Sequence, residues 1–187
     1  MNRSSFLLTT LAVLPALIMT KARTIFSFRA DKGFKVNAGE SRIGEHYKMK
    51  GVTSNTLDIK ISASDTGGEL AVFEQIGQSP KGGPPLHIHT KQDEWFYVLE
   101  GEYLFQVGEE RFQLKTGDTI FLPRNIQHAF VQKTEQARVI VSYLPAGKME
   151  DFFKVTNSWT EPPSTEEIKR VFEEHDMIIA GPPLKIN

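Results

Sequence analysis

A chain of 187 residues is the size of one domain and long enough to bury a core without staples. Hydrophobic content of 40% against 24% charged excludes disorder, and a net charge of -1 without a basic patch disfavours a nucleic-acid partner. Cysteine is absent, so disulfides and thiolate metal sites are excluded and any metal must be held by nitrogen and oxygen.

Residues 1–23 differ from the rest. Arg3 and a serine pair precede an apolar run from Phe6 to Met19. The run is shorter than the ~20 residues of a membrane span and fits the apolar region of an export signal. Thr20-Lys21-Ala22 offers an imperfect cleavage site. The expectation is an exported protein, periplasmic or secreted, with no stable membrane span. A cytoplasmic protein with an N-terminal arm is the alternative.

Residues 30–50 read as an arm with a short strand near Arg42 to Met49, where His46 is a surface residue. Short strands then follow quickly. Leu57 to Ser62 alternates apolar and polar residues, and Glu69 to Ile76 is a longer run, with the Gly67-Gly68 turn between them. In the second of these, Ala71, Phe73 and Gln75 share one face. Ser79 to Pro85 is a loop.

The next block carries chemistry. His87 and His89 sit two apart, so in a strand both imidazoles point the same way. A polar break, Thr90 to Asp93, leads to Glu94 at the head of the apolar strand Trp95 to Leu99. If that strand pairs beside the first, the Glu94 carboxylate meets the two imidazoles. Paired histidines with a carboxylate are a common ligand set for first-row transition metals. Strand parity puts Phe96 and Val98 on the face of Glu94, and Trp95 and Tyr97 on the other.

Tyr103 to Val107 and Arg111 to Lys115 flank Gly108-Glu109-Glu110 as a hairpin. Gly117 opens a second block: an apolar strand, the Pro123-Arg124-Asn125 turn, and a strand beginning at His128, which read together as another hairpin. His128 is the candidate fourth ligand, with Phe130 on its face. Arg138 to Tyr143 gives one more strand. Helices come last: Met149, Phe152 and Phe153 have helical spacing, and Ser164-Thr165-Glu166-Glu167 caps a second helix bearing Ile168, Val171, Phe172 and His175. Gly181 to Leu184 reads as a terminal tail.

Many short strands with turn signals indicate an all-β sandwich or barrel. The two blocks resemble the paired motifs of the cupin superfamily. His87-x-His89 is followed by Glu94 after four residues and Gly101 after six more, and Gly117, Pro123 and His128 stand at the second motif's positions. Asn125 replaces a glycine there, Gln132 replaces an asparagine, and the glycine before the first histidine is displaced to Gly82. Asn tolerates the left-handed conformation, so Asn125 is a mild departure.

The resemblance implies a double-stranded β-helix, the cupin or jelly-roll barrel, over residues 24–147, with motifs at 82–101 and 117–132. Residues 148–187 would form C-terminal helices and a tail packed on that barrel. It further implies one divalent transition metal (Fe, Mn, Ni, Cu, Co or Zn) held by His87, His89, Glu94 and His128. The chain looks most like the quercetin dioxygenase-like proteins. Glu94 would then also act as a catalytic base, and Phe96, Val98 and Phe130 would form an apolar pocket for a small aromatic or hydroxylated substrate that meets O2. Alternatives are a small-molecule-binding or sensing cupin without turnover and a sugar isomerase or epimerase. By the same resemblance the partner is a second copy, in a homodimer through the outer sheet, with Trp95 and Tyr97 in a second core layer or at that interface.

Overall fold

A computed structural model describes residues 29–53, 55–77 and 82–186. The expected leader at 1–23 lies outside the described residues, as do residues 79–81 of the expected loop from Ser79 to Pro85. In chain order the strands are β1 (His46–Lys48), β2 (Thr56–Ile61), β3 (Ala71–Gly77), β4 (Pro85–His89), β5 (Asp93–Glu100), β6 (Glu102–Val107), β7 (Glu110–Lys115), β8 (Thr119–Leu122), β9 (His128–Gln132) and β10 (Ala137–Leu144). Two helices, α1 (Met149–Ser158) and α2 (Thr165–Glu174), precede β11 (Met177–Pro183).

Among the described residues the strands form two antiparallel sheets, one ordered β1-β2-β3-β10-β5-β8 and one ordered β11-β4-β9-β6-β7. The fold is all-β with few helices, as the strand pattern implies. Alternation along each strand builds the core between the sheets. Leu57 and Ile59 on β2, Ala71 and Phe73 on β3, Phe96 and Val98 on β5, Tyr103 and Phe105 on β6, and Val139 and Val141 on β10 are all buried. The Tyr103–Val107 hairpin forms as read, with Phe105 opposite Phe112.

Two readings of the local topology are corrected. β5 does not pair beside β4: the strand of Glu94 lies in the opposite sheet. Nor do β8 and β9 form a hairpin, because the Pro123-Arg124-Asn125 turn carries the chain from one sheet to the other. Both segments have the local signature of a hairpin, yet burying two apolar faces against each other favours alternating between sheets. That choice depends on long-range packing, which a short window does not contain.

Residues 181–184 also differ from a simple tail. Met177–Pro183 pairs antiparallel with β4, setting Met177 opposite His89 and Ile179 opposite His87. Gly181, Pro182 and Pro183 obscure this strand in the sequence, but β11 is the outer strand of its sheet, where proline removes no needed ladder bond.

The helices use their apolar stripes as expected. Met149, Phe152, Phe153 and Thr156 of α1 are buried, as are Val171 and Phe172 of α2. Ser164 accepts a hydrogen bond from the Glu167 amide and starts α2. His175 closes it, buried, with Nδ1 at 2.6 Å from the Val171 carbonyl oxygen. His46 lies half-exposed on β1 beside Asp58, at 2.6 Å.

Candidate metal centre

His87 on β4 stands directly opposite His128 on β9, so residues distant in the chain become cross-strand neighbours. His89 follows two residues along β4, on the same face. Glu94 enters from the facing sheet at the start of β5. One possible ligand atom from each of the four lies within 4.8 Å of the others, and all four side chains are buried. The ring centroids of His87 and His128 are 4.6 Å apart, and those of His89 and His128 are 5.4 Å apart with nearly parallel planes.

The backbone around the cluster is pinned. The Thr90–Gln92 link crosses between the sheets and delivers Glu94. Asn125, at φ 65°, turns the second crossing and donates its amide to the His89 carbonyl oxygen at 2.8 Å. Asn therefore fills the left-handed position that the family pattern gives to glycine. Arg124 forks onto Asp93 at the head of β5, with contacts of 3.1 and 2.6 Å, and its backbone amide adds a third at 2.9 Å. The turn before His128 is thereby tied to the residue before Glu94. Gln132, in the place of the expected asparagine, donates to the carbonyl oxygens of Thr134 and Glu135 and holds the turn after β9.

Tautomers follow from these contacts. Nδ1 of His87 lies 2.8 Å from the Pro85 carbonyl oxygen, and Nδ1 of His128 lies 3.0 Å from that of Ile126. A carbonyl oxygen only accepts, so both Nδ1 atoms carry the proton and both Nε2 atoms present lone pairs when the rings are neutral. The buried amide of Gln92 lies beside the His89 ring. Burial pushes the His87 imidazole well below its ordinary range, and the neighbouring His128 and His89 push it further. Burial, then His128, brings His89 down to about 3. These two rings are therefore neutral at physiological pH, the state a metal requires.

Nε2 of His128 faces an oxygen of Glu94 at 3.1 Å, and Nε2 of His89 faces it at 3.7 Å. His128 Nε2 finds no hydrogen-bond partner there. Lone pairs on nitrogen and on carboxylate thus converge in a buried place, which is costly unless a cation is shared between them. Three imidazoles and one carboxylate fit a first-row divalent metal by donor type, by number and by proximity.

The cluster opens onto a small chamber, with a cavity volume of about 30 Å³. Phe96 and Phe130 line it, as strand parity implies, whereas Val98 sits in the hydrophobic core outside its lining. Sequence reasoning missed much of the wall: Phe152, Phe153 and Phe172 come from the helices, and Tyr143 and Gln75 from β10 and β3. Tyr143 was recoverable in part, because it has the inward parity of Val139 and Val141 and is paired with Glu94 in the sheet. Its phenol stands near the Glu94 carboxylate, and burial, then the carboxylate charge, pushes it well above its ordinary range. The Phe172 ring stands edge-on to His87 at 5.7 Å.

Comparison with known proteins agrees with this arrangement. Residues 77–143 match the family model for the cupin domain. A stretch of 97 residues is 29% identical to quercetin 2,3-dioxygenase of Bacillus subtilis, covering 51% of this chain and 28% of that enzyme. Over 43 residues the chain is 42% identical to an uncharacterized protein of Methanocaldococcus jannaschii, covering 23% of this chain and 34% of that one. The chain thus spans about a third or less of the length of these two curated relatives. Among solved structures, an RmlC-like cupin from Shewanella frigidimarina aligns with a TM-score of 0.52 at 22% identity, over 66% of this chain and 98% of that one. The polyketide cyclase RemF from Streptomyces resistomycificus aligns at 0.51 and 23%, over 62% and 80%. These two likenesses concern the fold alone.

Proposed function

We propose, for a chain that belongs to the cupin superfamily through its domain at residues 77–143, a metal-dependent dioxygenase acting on a small aromatic, hydroxylated substrate. The observation that carries this reading is the convergence of His87, His89, Glu94 and His128, the first three of them at the wall of an aromatic-lined chamber. The partial likeness to quercetin 2,3-dioxygenase supports the reaction class.

In this reading the Nε2 atoms of His87, His89 and His128 and the Glu94 carboxylate hold one divalent metal. Bound there, the metal supplies Lewis acidity and exchangeable coordination positions for a hydroxylated substrate and O2. Glu94 also serves as the base that takes the substrate hydroxyl proton, since its carboxylate stands at the chamber wall. The Tyr143 hydroxyl steadies that carboxylate and keeps its own proton, in keeping with the raised phenol. Phe96, Phe130, Phe152 and Phe172 exclude water and present flat apolar faces to an aromatic ring.

The test is elemental analysis of protein purified without an affinity metal column, followed by O2 uptake with a panel of flavonols and catechols. The expected result is one metal per chain and uptake with at least one aromatic diol. Stoichiometric metal with no uptake across the panel would reject the oxygenase.

The homodimer belongs to the same proposal. On the outer face of the six-stranded sheet, Trp95 and Tyr97 stack at 6.3 Å, and Phe121, paired opposite Trp95, is 56% exposed. Such aromatic patches favour association. Sedimentation showing only monomer at micromolar concentration would reject it.

A further inference from the structure

The three histidines of the centre are not held alike. Nδ1 of His87 and Nδ1 of His128 each lie against the carbonyl oxygen of the residue two places earlier, at 2.8 and 3.0 Å. His89 breaks the pattern. Its Nε2 faces Glu94 at 3.7 Å, so its Nδ1 points away from the cluster, and that buried nitrogen has no hydrogen-bond partner among the described residues. A buried polar atom left unpaired is unfavourable, and interiors seldom keep one without a reason.

A second orphan stands beside it. Gln92 is fully buried, and neither its amide nitrogen nor its amide oxygen has a hydrogen-bond partner among the described residues. The fold sets the two side chains against the same end of β10. The His89 ring packs on Tyr143 with centroids 5.5 Å apart, and Asp93, next to Gln92 in the chain, pairs with Leu144. The Gln92 amide lies over Gly147, where a Cβ would come within 1.7 Å of the amide nitrogen, so glycine leaves the room that the amide occupies. The amide raises the proton affinity of the His89 ring, the effect of an acceptor placed beside it. The needs of the two orphans are complementary: an imidazole N–H donates and an amide carbonyl oxygen accepts.

We infer that Gln92 is the positioning residue of His89: its side-chain carbonyl oxygen accepts the Nδ1 proton, fixes the tautomer in which Nε2 carries the lone pair, and aims the ring at a divalent metal. A neutral ring that gives Nε2 to a cation keeps its one proton on Nδ1, so the acceptor matters most when the ion is bound. This inference rests on the metal-centre reading above and extends it to the one histidine of the three whose Nδ1 has no backbone carbonyl against it.

The test compares wild type, Gln92→Met and Gln92→Glu, each stripped of metal and titrated with zinc against a competing chelator. Met keeps the bulk and removes the acceptor; Glu keeps both the length and the acceptor. Gln92→Met should lose about 10–100-fold in zinc affinity, as loss of an outer partner of a metal ligand commonly does. Gln92→Glu should bind zinc more tightly than Gln92→Met. A side chain that only fills space gives the reverse order, since Met is tolerated in its place and a buried carboxylate is not. Heteronuclear NMR of the zinc-loaded wild type needs no variant to fold. There His89 should show zinc on Nε2 and a downfield, slowly exchanging proton on Nδ1, and in Gln92→Met that proton should move upfield. Zinc on Nδ1, or an Nδ1 proton without the downfield shift in the wild type, would overturn the inference. Equal zinc affinity of wild type and Gln92→Met, or a Gln92→Glu no tighter than Gln92→Met, would overturn it too. Wild-type protein that takes up no zinc would instead overturn the metal-centre reading itself, and the inference with it.

Discussion

Removal of the metal is the perturbation that tests the centre most directly. The four donors come from both sheets, so an ion bound between them binds the folded chain and not the unfolded one. Its contribution to stability is then RT ln(1 + [M]/Kd), about 2.7 kcal/mol at a free metal concentration one hundred times Kd. For a fold of this size each kcal/mol moves the melting temperature by roughly 2–4 °C, so metal should raise it by roughly 5–11 °C. His128→Ala removes the ligand whose Nε2 lies 3.1 Å from Glu94. Losing an outer partner of a metal ligand commonly costs 10–100-fold in affinity, and losing the ligand itself should cost at least about 100-fold. The metal-dependent gain in the variant then falls to roughly 0.4 kcal/mol, or about 1–2 °C. The assay is thermal unfolding of chelator-treated protein, with and without added zinc or manganese at pH 7.5, for wild type and variant. An unchanged melting temperature in the wild type, or an equal rise in His128→Ala, would refute the argument that these side chains share one ion.

The remaining predictions concern pH, backbone packing and processing. His87 and His89 are held below their ordinary range in the fold, so the unfolded chain binds more protons as pH falls below about 6.5, the ordinary histidine value. Metal-free protein should therefore keep its full stability above that pH and lose about 1.4 kcal/mol per pH unit for each ring on acidification, down to about 3 for His89. Urea midpoints between pH 8 and 5 check this, and a flat profile would contradict it. Gly83→Ala would drive a Cβ into the Phe130 carbonyl oxygen, a backbone atom that cannot swing aside. A loss of about 1–3 kcal/mol is expected by thermal unfolding, with weaker zinc binding because β4 follows directly; an unaltered melting temperature would count against the close approach. For residues 1–23, mass spectrometry of protein from the native host should find a mature N-terminus near residue 23, and an intact Met1 or Asn2 would remove the export proposal.

Much of this centre was readable in the chain because its information is local. His87 and His89 share a strand face whatever the topology, and Phe130 follows His128 with the same parity. The left-handed turn at Asn125 likewise depends on one residue's own conformational tolerance. What was misread depends on partners distant in sequence. Pairing β5 beside β4 and folding β8 onto β9 are both reasonable from short windows, and both yield to the need to close two apolar faces. Gln75 shows the limit clearly. Its parity with Phe73 is visible, but that its amide lacks an acceptor emerges only once Leu57 and Val139 are known to flank it.

The three imidazoles project from one sheet and the carboxylate from the other. An ion gripping both would act as a strut whose length sets how far apart the two halves of the sandwich stand. Exchanging it for one of different radius would then do more than retune the reacting centre. It would loosen or tighten the edge-to-face contact of Phe96 and Phe130, whose centroids are 5.4 Å apart across the two sheets, so the choice of metal and the shape of the chamber would become one mechanical variable.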